Sequence, residues 1–196
     1  MHNVLIIDDV VDKETQDLIE KSIFSPETQW TFGRTVFYHS HPEVTKEHQK
    51  KVMSFTKSIF RLDDRYADPN LDLYTSPIVE ASKKFQKHIE TFLTVRIQLQ
   101  VPLNDPATHG VPHLDGRRPF PYMVAVYYVN DCEGDTIIYK ETEKDTTPDE
   151  IKNGKTTIDQ TISPKKGRLI IFDGNIYHSS GRPKHDIRCI INYNFI

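Results

Sequence analysis

The chain has 196 residues, a formal net charge of -3 and a hydrophobic share of 37%. This length suggests one domain, and the nearly neutral charge argues against binding to nucleic acid or to membranes through a basic surface. Cys132 and Cys189 are too few for a disulfide framework and suit a reducing compartment, which predicts a cytoplasmic location. No stretch has the pattern of a transmembrane helix or of a signal peptide.

The first half of the sequence predicts mainly helices that support a sheet. Val4–Ile7 is typical of a short buried strand, and Asp12 is a good N-cap for a helix from Lys13 to Phe24. Asp63–Tyr74 is polar and predicts a loop. The other predicted elements here are a strand over Gln29–His39, a helix over Thr45–Arg61, and a helix opened by Ser76 and Pro77 that runs to about Leu93.

From Val95 onward the sequence predicts an all-β core. The segments become short, apolar and β-branched, with turn residues between them, as in a sandwich or jelly roll. Lys140–Lys152 is charged and predicts a solvated loop. We therefore expect a single domain with a helical support region at 1–94 and a β core at 95–196. The predicted strands are Val95–Val101, Tyr122–Val129, Thr136–Tyr139, Thr157–Ile162, Arg168–Phe172 and Arg188–Phe195.

Three residues in this core have the chemistry of a metal site. His113 and Asp115 are two apart, so a strand would place them on one face. His178 follows an apolar strand and could complete two imidazoles and one carboxylate, the set that leaves one face of an octahedral Fe(II) open. A salt-bridged pair at a strand end and a core histidine are the structural alternatives.

The remaining histidines divide into two groups. His109 and His185 lie close to the predicted site in sequence and could face a substrate. Five others lie outside the β core, where surface positions are expected: His2, His39, His41, His48 and His88.

Arg188 opens the last predicted strand and shares a face with Ile190 and Asn192. If that face is the interior, Arg188 is a buried guanidinium and needs an anionic partner. No carboxylate in the sequence is an obvious partner, so a bound ligand is the candidate. The alternative is an exposed arginine at the start of a strand.

Six elements together resemble the 2-oxoglutarate- and Fe(II)-dependent dioxygenases, and within them the prolyl 4-hydroxylase-like branch. The resemblance covers roughly Val95 to Phe195 and implies a double-stranded β-helix, a jelly-roll or cupin-like core with helices packed on one sheet. The elements are His113-Leu114-Asp115, Tyr127-Tyr128-Val129-Asn130, Gly134-Asp135-Thr136, Pro164–Phe172, His178 and Arg188.

The resemblance also implies roles for the site residues. His113, Asp115 and His178 would hold Fe(II), while Arg188 and Tyr128 would bind the distal carboxylate of 2-oxoglutarate. With dioxygen, and with ascorbate as a candidate further cofactor, the enzyme would hydroxylate an unactivated C–H bond and release succinate and CO2. A prolyl or other peptidyl side chain is the suggested substrate, and small molecules are also open. Tyr128 has the alternative of a simple core tyrosine.

The sequence departs from the family pattern in two places. Glu133-Gly134 stands where the family pattern has two glycines, and the segment from Gln98 to Pro112 differs from relatives near the metal-bound end of the cosubstrate.

Three other functions are open. A cupin-type metalloenzyme would not need the Arg188 anchor, and a non-catalytic binding module would not need the metal residues. A nucleic-acid demethylase is disfavoured by the charge balance. Five residues flank the metal motifs and would make the mouth of the site positive for an acidic partner or substrate, with solvated loop charges as the alternative: Arg117, Arg118, Arg182, Lys184 and His185.

Overall fold

The computed structural model of the protein describes residues 1–33, 54–86, 88–102 and 109–196. His39, His41 and His48, and the parts of the predicted strand and helix within 34–53, lie outside these residues. The described elements, in chain order, are β1 (Leu5–Ile7), α1 (Lys13–Ile23), β2 (Thr31–Gly33), β3 (Ser54–Arg61), β4 (Tyr66–Ala67), α2 (Leu71–Phe85), β5 (Phe92–Gln100), β6 (Met123–Tyr128), β7 (Thr136–Thr142), α3 (Pro148–Lys152), β8 (Ile158–Ile162), β9 (Leu169–Asp173), β10 (Ile176–Ser180) and β11 (Arg188–Phe195).

The strands form two antiparallel sheets. The large sheet has the order β1-β9-β6-β11-β5-β3-β2, with β4 paired to β3, and the small sheet has the order β10-β7-β8. The last strand of the chain, β11, therefore lies between β5 and β6 in the middle of the large sheet. The predicted fold class is confirmed: a mainly β jelly roll of the double-stranded β-helix type, with helices on one sheet.

Apolar side chains fill the space on both sides of the large sheet. On its outer face, Ile19 of α1 and Ile78 of α2 pack in one cluster with strand residues such as Ile191. Between the sheets, Phe172 of β9 packs in a second cluster with Ile138 of β7. Such burial is the main favourable contribution to folding. None of the helices in the described residues is long and apolar enough to cross a membrane.

The first helix forms as its sequence predicts. The Asp12 carboxylate accepts a hydrogen bond of 2.7 Å from the backbone N–H of Thr15, which satisfies one of the free donors in the first turn. The helix ends at Ile23, and the N–H of Phe24 donates to the Glu20 carbonyl. A local cap and an apolar stripe were sufficient to locate this element.

The start of α2 corrects the sequence prediction. The helix begins at Leu71 inside the predicted loop, and Pro77 lies within it. Proline cannot donate to the Leu73 carbonyl, but the hydroxyl of Ser76 donates to that oxygen at 2.8 Å. Ser76 is thus an interior residue of the helix, and its hydroxyl replaces the hydrogen bond that Pro77 cannot donate. It is not an N-cap. The helix also ends earlier than predicted, because Gln86 adopts a left-handed conformation with φ 52°.

The predicted helix over Thr45–Arg61 is wrong at its described end, because Ser54–Arg61 is β3. The register shifts between Ser58 and Phe60 where β3 pairs with β5. Ile59 and its neighbour Phe60 consequently both pack on the outer-face cluster, which breaks the alternation expected of a strand. The apolar residues of this strand are therefore spaced as they would be along one side of a helix.

Several smaller differences concern the β core. The strand β10 was not predicted, and the predicted loop Lys140–Lys152 contains the end of β7 and all of α3, whose N-cap is Thr147. Strands from the region 1–94 also join the large sheet, where β1 pairs with β9 and β3 pairs with β5. The support region thus supplies strands as well as helices.

The register of β11 shows which residues lie on the inner face of the large sheet. Ile190 belongs to the cluster between the sheets, so Arg188, Asn192 and Asn194 face the interior with it. Directly opposite residues of an antiparallel pair share a face. The interior residues of β5 are consequently Gln100, Gln98 and Arg96, which lie opposite Arg188, Ile190 and Asn192, respectively.

Candidate metal centre

The backbone brings the two histidines of the predicted site together. His113 lies in the segment between β5 and β6, and His178 lies in the middle of β10. The N–H of His113 donates to the His178 carbonyl at 2.9 Å, and the N–H of His178 donates to the His113 carbonyl at 3.0 Å. This pair of hydrogen bonds holds the residues directly opposite each other, with ring centroids 4.7 Å apart.

His113, Asp115 and His178 converge on one point. One potential ligand atom from each residue lies within 4.8 Å of the other two. Oδ1 of Asp115 is 3.8 Å from Nε2 of His113 and 3.5 Å from Nε2 of His178. Among the described residues this is the only group of three or more potential ligands that is so arranged.

The hydrogen bonds of the two imidazoles fix which nitrogen faces that point. Nδ1 of His113 is 2.9 Å from the Val111 carbonyl, and Nδ1 of His178 is 3.1 Å from the Ile176 carbonyl. A carbonyl oxygen only accepts, so each Nδ1 carries a hydrogen and donates it. In the neutral tautomer the lone pair is then on Nε2, as a metal ligand requires.

Asp115 is oriented from the opposite side by two asparagines of β11. Nδ2 of Asn192 donates to Oδ2 of Asp115 at 2.8 Å, and Nδ2 of Asn194 donates to the same oxygen at 3.2 Å. Oδ2 is thereby held, while Oδ1 faces the histidines. Neither asparagine is predicted from the sequence as a partner of Asp115, although their spacing from Arg188 places all three side chains on one face of the strand.

The electrostatics favour the ionised form of this carboxylate. Burial alone would raise the pKa of Asp115, but the neighbouring His178 ring, the Arg96 guanidinium and the His113 ring outweigh it. The pKa of Asp115 therefore lies well below its ordinary value. Three electron-pair donors face one another here, and they repel unless a cation or a proton lies between them. The donor set fits a divalent metal ion such as Fe(II).

Tyr122 ties together the two chain segments that carry the ligands. Its hydroxyl lies 2.6 Å from the Gly116 carbonyl and 2.8 Å from the Gly174 carbonyl, so it can donate to either. The N–H of Gly116 donates back to the same hydroxyl at 3.2 Å. A Cβ on Gly174 would lie 2.3 Å from the Tyr122 ring, so only glycine fits there. This contact is not predictable from the sequence, because it joins positions 52 residues apart.

Arg188 is buried, with 2% of its surface exposed, and faces the interior as predicted. Its Nε donates to the Gly134 carbonyl at 2.7 Å, and one terminal nitrogen, Nη2, donates to the Thr136 hydroxyl at 3.0 Å. No described carboxylate forms an ion pair with it. These contacts give the Gly134-Asp135-Thr136 motif a physical role, since two of its three residues hold the guanidinium.

Tyr128 belongs to the same network. Its hydroxyl donates to Thr136 Oγ1 at 2.6 Å, and the guanidinium carbon of Arg188 is 5.7 Å from its ring centroid. Burial raises the pKa of Tyr128 despite the nearby charge of Arg188, so the phenol remains a donor. The structure thus places Tyr128 beside Arg188, and their hydroxyl and guanidinium meet at Thr136.

Other polar and charged residues predicted near the site have partners within the protein. Arg117 donates to Glu143 at 3.0 Å and to the Tyr177 hydroxyl at 2.8 Å. His185 is mostly exposed, and its Nδ1 lies 2.8 Å from Glu133. His109 forms an isolated bridge with Gly181 and lies 3.5 Å from the Tyr139 hydroxyl. Two members of the proposed positive mouth are therefore paired with glutamates.

No protein-family model matches the sequence, and no curated protein matches it. Solved structures match over nearly the whole chain. One is the non-haem alpha ketoglutarate dependent epimerase SnoN from nogalamycin biosynthesis, with a TM-score of 0.68 and 12% identity, covering 100% of this chain and 78% of that one.

Two prolyl hydroxylases also match, each at 12% identity and over 100% of this chain. The enzyme from Trichoplax adhaerens, solved with a hypoxia inducible factor peptide fragment, has a TM-score of 0.63 over 84% of its chain. The prolyl-4-hydroxylase from Pseudomonas putida has a TM-score of 0.61 over 92% of its chain. The chain therefore has the fold of the 2-oxoglutarate- and Fe(II)-dependent oxygenases, prolyl hydroxylases among them, as its motifs predicted.

Proposed function

We propose that this protein is an Fe(II)- and 2-oxoglutarate-dependent dioxygenase that hydroxylates an unactivated C–H bond. The observation that carries the proposal is the combination of three converging potential ligand atoms with a buried guanidinium, since Arg188 lies on the same face of β11 as Asn192, which holds Asp115. A metal centre alone would fit many enzymes. A metal centre with a built-in anchor for a dicarboxylate fits this class.

His113, Asp115 and His178 would hold the metal ion. The two Nδ1–H donors fix the ring orientations, and Asn192 and Asn194 fix the carboxylate. Such outer contacts keep ligands in place before the metal arrives and so favour its binding. When bound, Fe(II) with 2-oxoglutarate and O2 would supply the oxidation, which yields succinate, CO2 and the hydroxylated product.

Arg188 would anchor the distal carboxylate of 2-oxoglutarate. The described hydrogen bonds use its Nε and Nη2 and leave Nη1 for a ligand. Thr136 accepts hydrogen bonds from both Arg188 and Tyr128, so its own hydroxyl proton is also available to a carboxylate. Tyr128 would contact that carboxylate directly only if its proton turned away from Thr136, and otherwise it supports the anchor through Thr136.

The substrate class follows the structural neighbours, one of which was solved with a peptide. We propose a prolyl or other peptidyl side chain, or a small molecule, as the group hydroxylated, with ascorbate as a candidate further cofactor. The free thiols of Cys132 and Cys189 support the proposal of a reducing, cytoplasmic compartment.

Succinate release tests this function. Purified protein with Fe(II), 2-oxoglutarate and O2 should release succinate across a panel of peptides and small acids. Asp115→Ala should abolish release and leave the fold intact, because Asp115 serves coordination. Activity of Asp115→Ala equal to wild type would refute the mechanism. Wild-type turnover that does not depend on 2-oxoglutarate would favour a cupin-type metalloenzyme.

A further inference from the structure

A second arginine faces the interior close to the metal centre. Arg96 of β5 lies directly opposite Asn192, and Asn192 holds Asp115. The positive charge of Arg96 contributes to the low pKa of Asp115, yet no ion pair joins the two side chains. Arg96 is therefore near the predicted metal ligand without being its direct partner.

Arg96 has unused hydrogen-bonding capacity. Its Nε is buried and has no hydrogen-bond partner, and no described hydrogen bond or ion pair involves its side chain. Arg188, by comparison, makes two hydrogen bonds to the protein. Arg96 as a whole is partly exposed, so a ligand can reach it. A buried donor without a partner costs free energy, and a site that keeps one on a guanidinium is suited to bind an anion.

The neighbouring residue on the same face extends this polar surface. Gln98 is two positions along β5, about 7 Å away, and no described hydrogen bond involves its side chain. The next residue on that face, Gln100, donates to the Ser180 hydroxyl at 2.9 Å and closes the interior toward the small sheet. Arg96 and Gln98 are thus the donors on β5 that remain for a ligand.

The position of Arg96 separates it from the proposed cosubstrate anchor. Arg188 lies opposite Gln100, four residues from the level of Arg96, which is about 13 Å along the strand. One positive charge beside a neutral amide balances a single carboxylate. A phosphate would bring up to two negative charges next to Asp115.

We propose that Arg96 binds a carboxylate of the substrate, with Gln98 as an additional donor, so that the substrate is a carboxylate-bearing molecule. This inference rests on the proposed function, since the substrate is the one presented to the metal centre. The carboxylate belongs either to a free terminus or to an acidic side chain, and the arms of the experiment distinguish these sources.

The test measures binding to protein loaded with Mn(II) and saturating 2-oxoglutarate, which occupies Arg188. The probes are N-acetyl amino acids, the matching N-acetyl amino acid amides, and acetylated, amidated peptides with or without Asp or Glu. Wild type should bind the best carboxylate probe at least tenfold more tightly than its matched neutral probe. A preference for the N-acetyl amino acid over its amide identifies a free terminus, and a preference for the peptide with Asp or Glu identifies an acidic side chain. Arg96→Gln should lose this preference, because a charge-assisted hydrogen bond of this kind changes affinity by about tenfold or more.

Two variants control the measurement. Arg96→Lys should recover part of the preference, because it keeps the charge without the planar fork. Arg61→Gln removes the same charge at an exposed position paired with Asp64, and it should retain the wild-type preference. If Arg96→Gln does not fold, Arg96→Lys decides, and equal affinity of that variant for acid and amide would overturn the proposal.

The remaining outcomes separate this inference from the proposed function. Failure of wild type to bind 2-oxoglutarate with Mn(II) would refute the proposed function before any probe is added. Normal 2-oxoglutarate binding with no acid preference in wild type would overturn the role of Arg96 alone. A weaker affinity of Arg96→Gln for 2-oxoglutarate would also overturn it, because Arg96 would then belong to the cosubstrate site.

Discussion

The inner face of the large sheet has two halves of opposite character. On the β6 and β9 side, Val124, Val126, Ile170 and Phe172 form part of the apolar cluster between the sheets. On the β5 side, the equivalent positions are Arg96, Gln98 and Gln100. The strand between them, β11, is mixed, since Ile190 joins the apolar cluster while Asn192 holds Asp115.

The apolar half mainly stabilises the fold, and the polar half mainly supplies groups for binding. The apolar half packs one sheet against the other and gains the free energy of burial. The polar half gains little from packing, because Nε of Arg96 and Oε1 of Gln100 are buried without partners among the described residues. The candidate metal ligands lie where the halves meet: His178 contacts Phe172 at a ring distance of 4.9 Å, and Asp115 contacts β11.

The largest expected effect is loss of stability in the apolar half. Phe172→Ala removes a fully buried ring and should lower the free energy of unfolding by about 3–5 kcal/mol. Urea denaturation followed by circular dichroism measures this, with Phe172→Leu as the milder control. A loss below about 1 kcal/mol would mean that this half does not carry the packing.

The next effect concerns the anchor at the edge of the polar half. Arg188→Ala should raise the apparent KM for 2-oxoglutarate by about ten- to a hundredfold, since a charge-assisted bond contributes roughly 1.5–3 kcal/mol. Arg188→Lys should recover only part of the loss, and Mn(II) affinity should stay unchanged. A wild-type titration curve for Arg188→Ala would place the dicarboxylate anchor elsewhere.

A smaller effect is expected from the asparagines that orient Asp115. Asn192→Ala removes the 2.8 Å hydrogen bond to Oδ2 and should weaken Mn(II) binding by about tenfold, as loss of an outer contact does in other metal sites. Isothermal titration calorimetry measures the affinity, with thermal melting as the control for folding. Unchanged affinity would show that Asp115 is oriented without Asn192.

The smallest effect is expected for the stability of a variant in the polar half. Gln98→Ala should change the free energy of unfolding by no more than about 0.5 kcal/mol, because no described hydrogen bond depends on its side chain. The same urea denaturation used for Phe172→Ala applies here. A loss of about 2 kcal/mol or more would mean that the polar half also supports the fold.

The sequence was most informative where structure depends on local chemistry. The Asp12 cap located α1, and the motifs at His113, Asp115 and His178 predicted three side chains that the structure brings together. Predictions failed where distant residues decide. Ser54–Arg61 forms a strand because β5 pairs with it, and the bulge near Ser58 hides its alternation.

The contacts around the candidate ligands could not be predicted from the sequence either. Asn192 and Asp115 are 77 residues apart, and Tyr122 contacts Gly174 across 52 residues. Sequence spacing places side chains on a face of one strand, but only the order of strands determines what each face meets. The three candidate metal ligands could be proposed from the sequence, and the residues that hold them in place could not.

The most direct test of the central claim is Mn(II) binding measured by isothermal titration calorimetry. Wild type should bind one ion per chain, and His178→Ala should lose at least a hundredfold in affinity, because two remaining ligands do not define a site. His185→Ala, an exposed histidine paired with Glu133, is the matched control and should bind as wild type does. Equal Mn(II) affinity in wild type and His178→Ala would contradict a metal centre built from His113, Asp115 and His178.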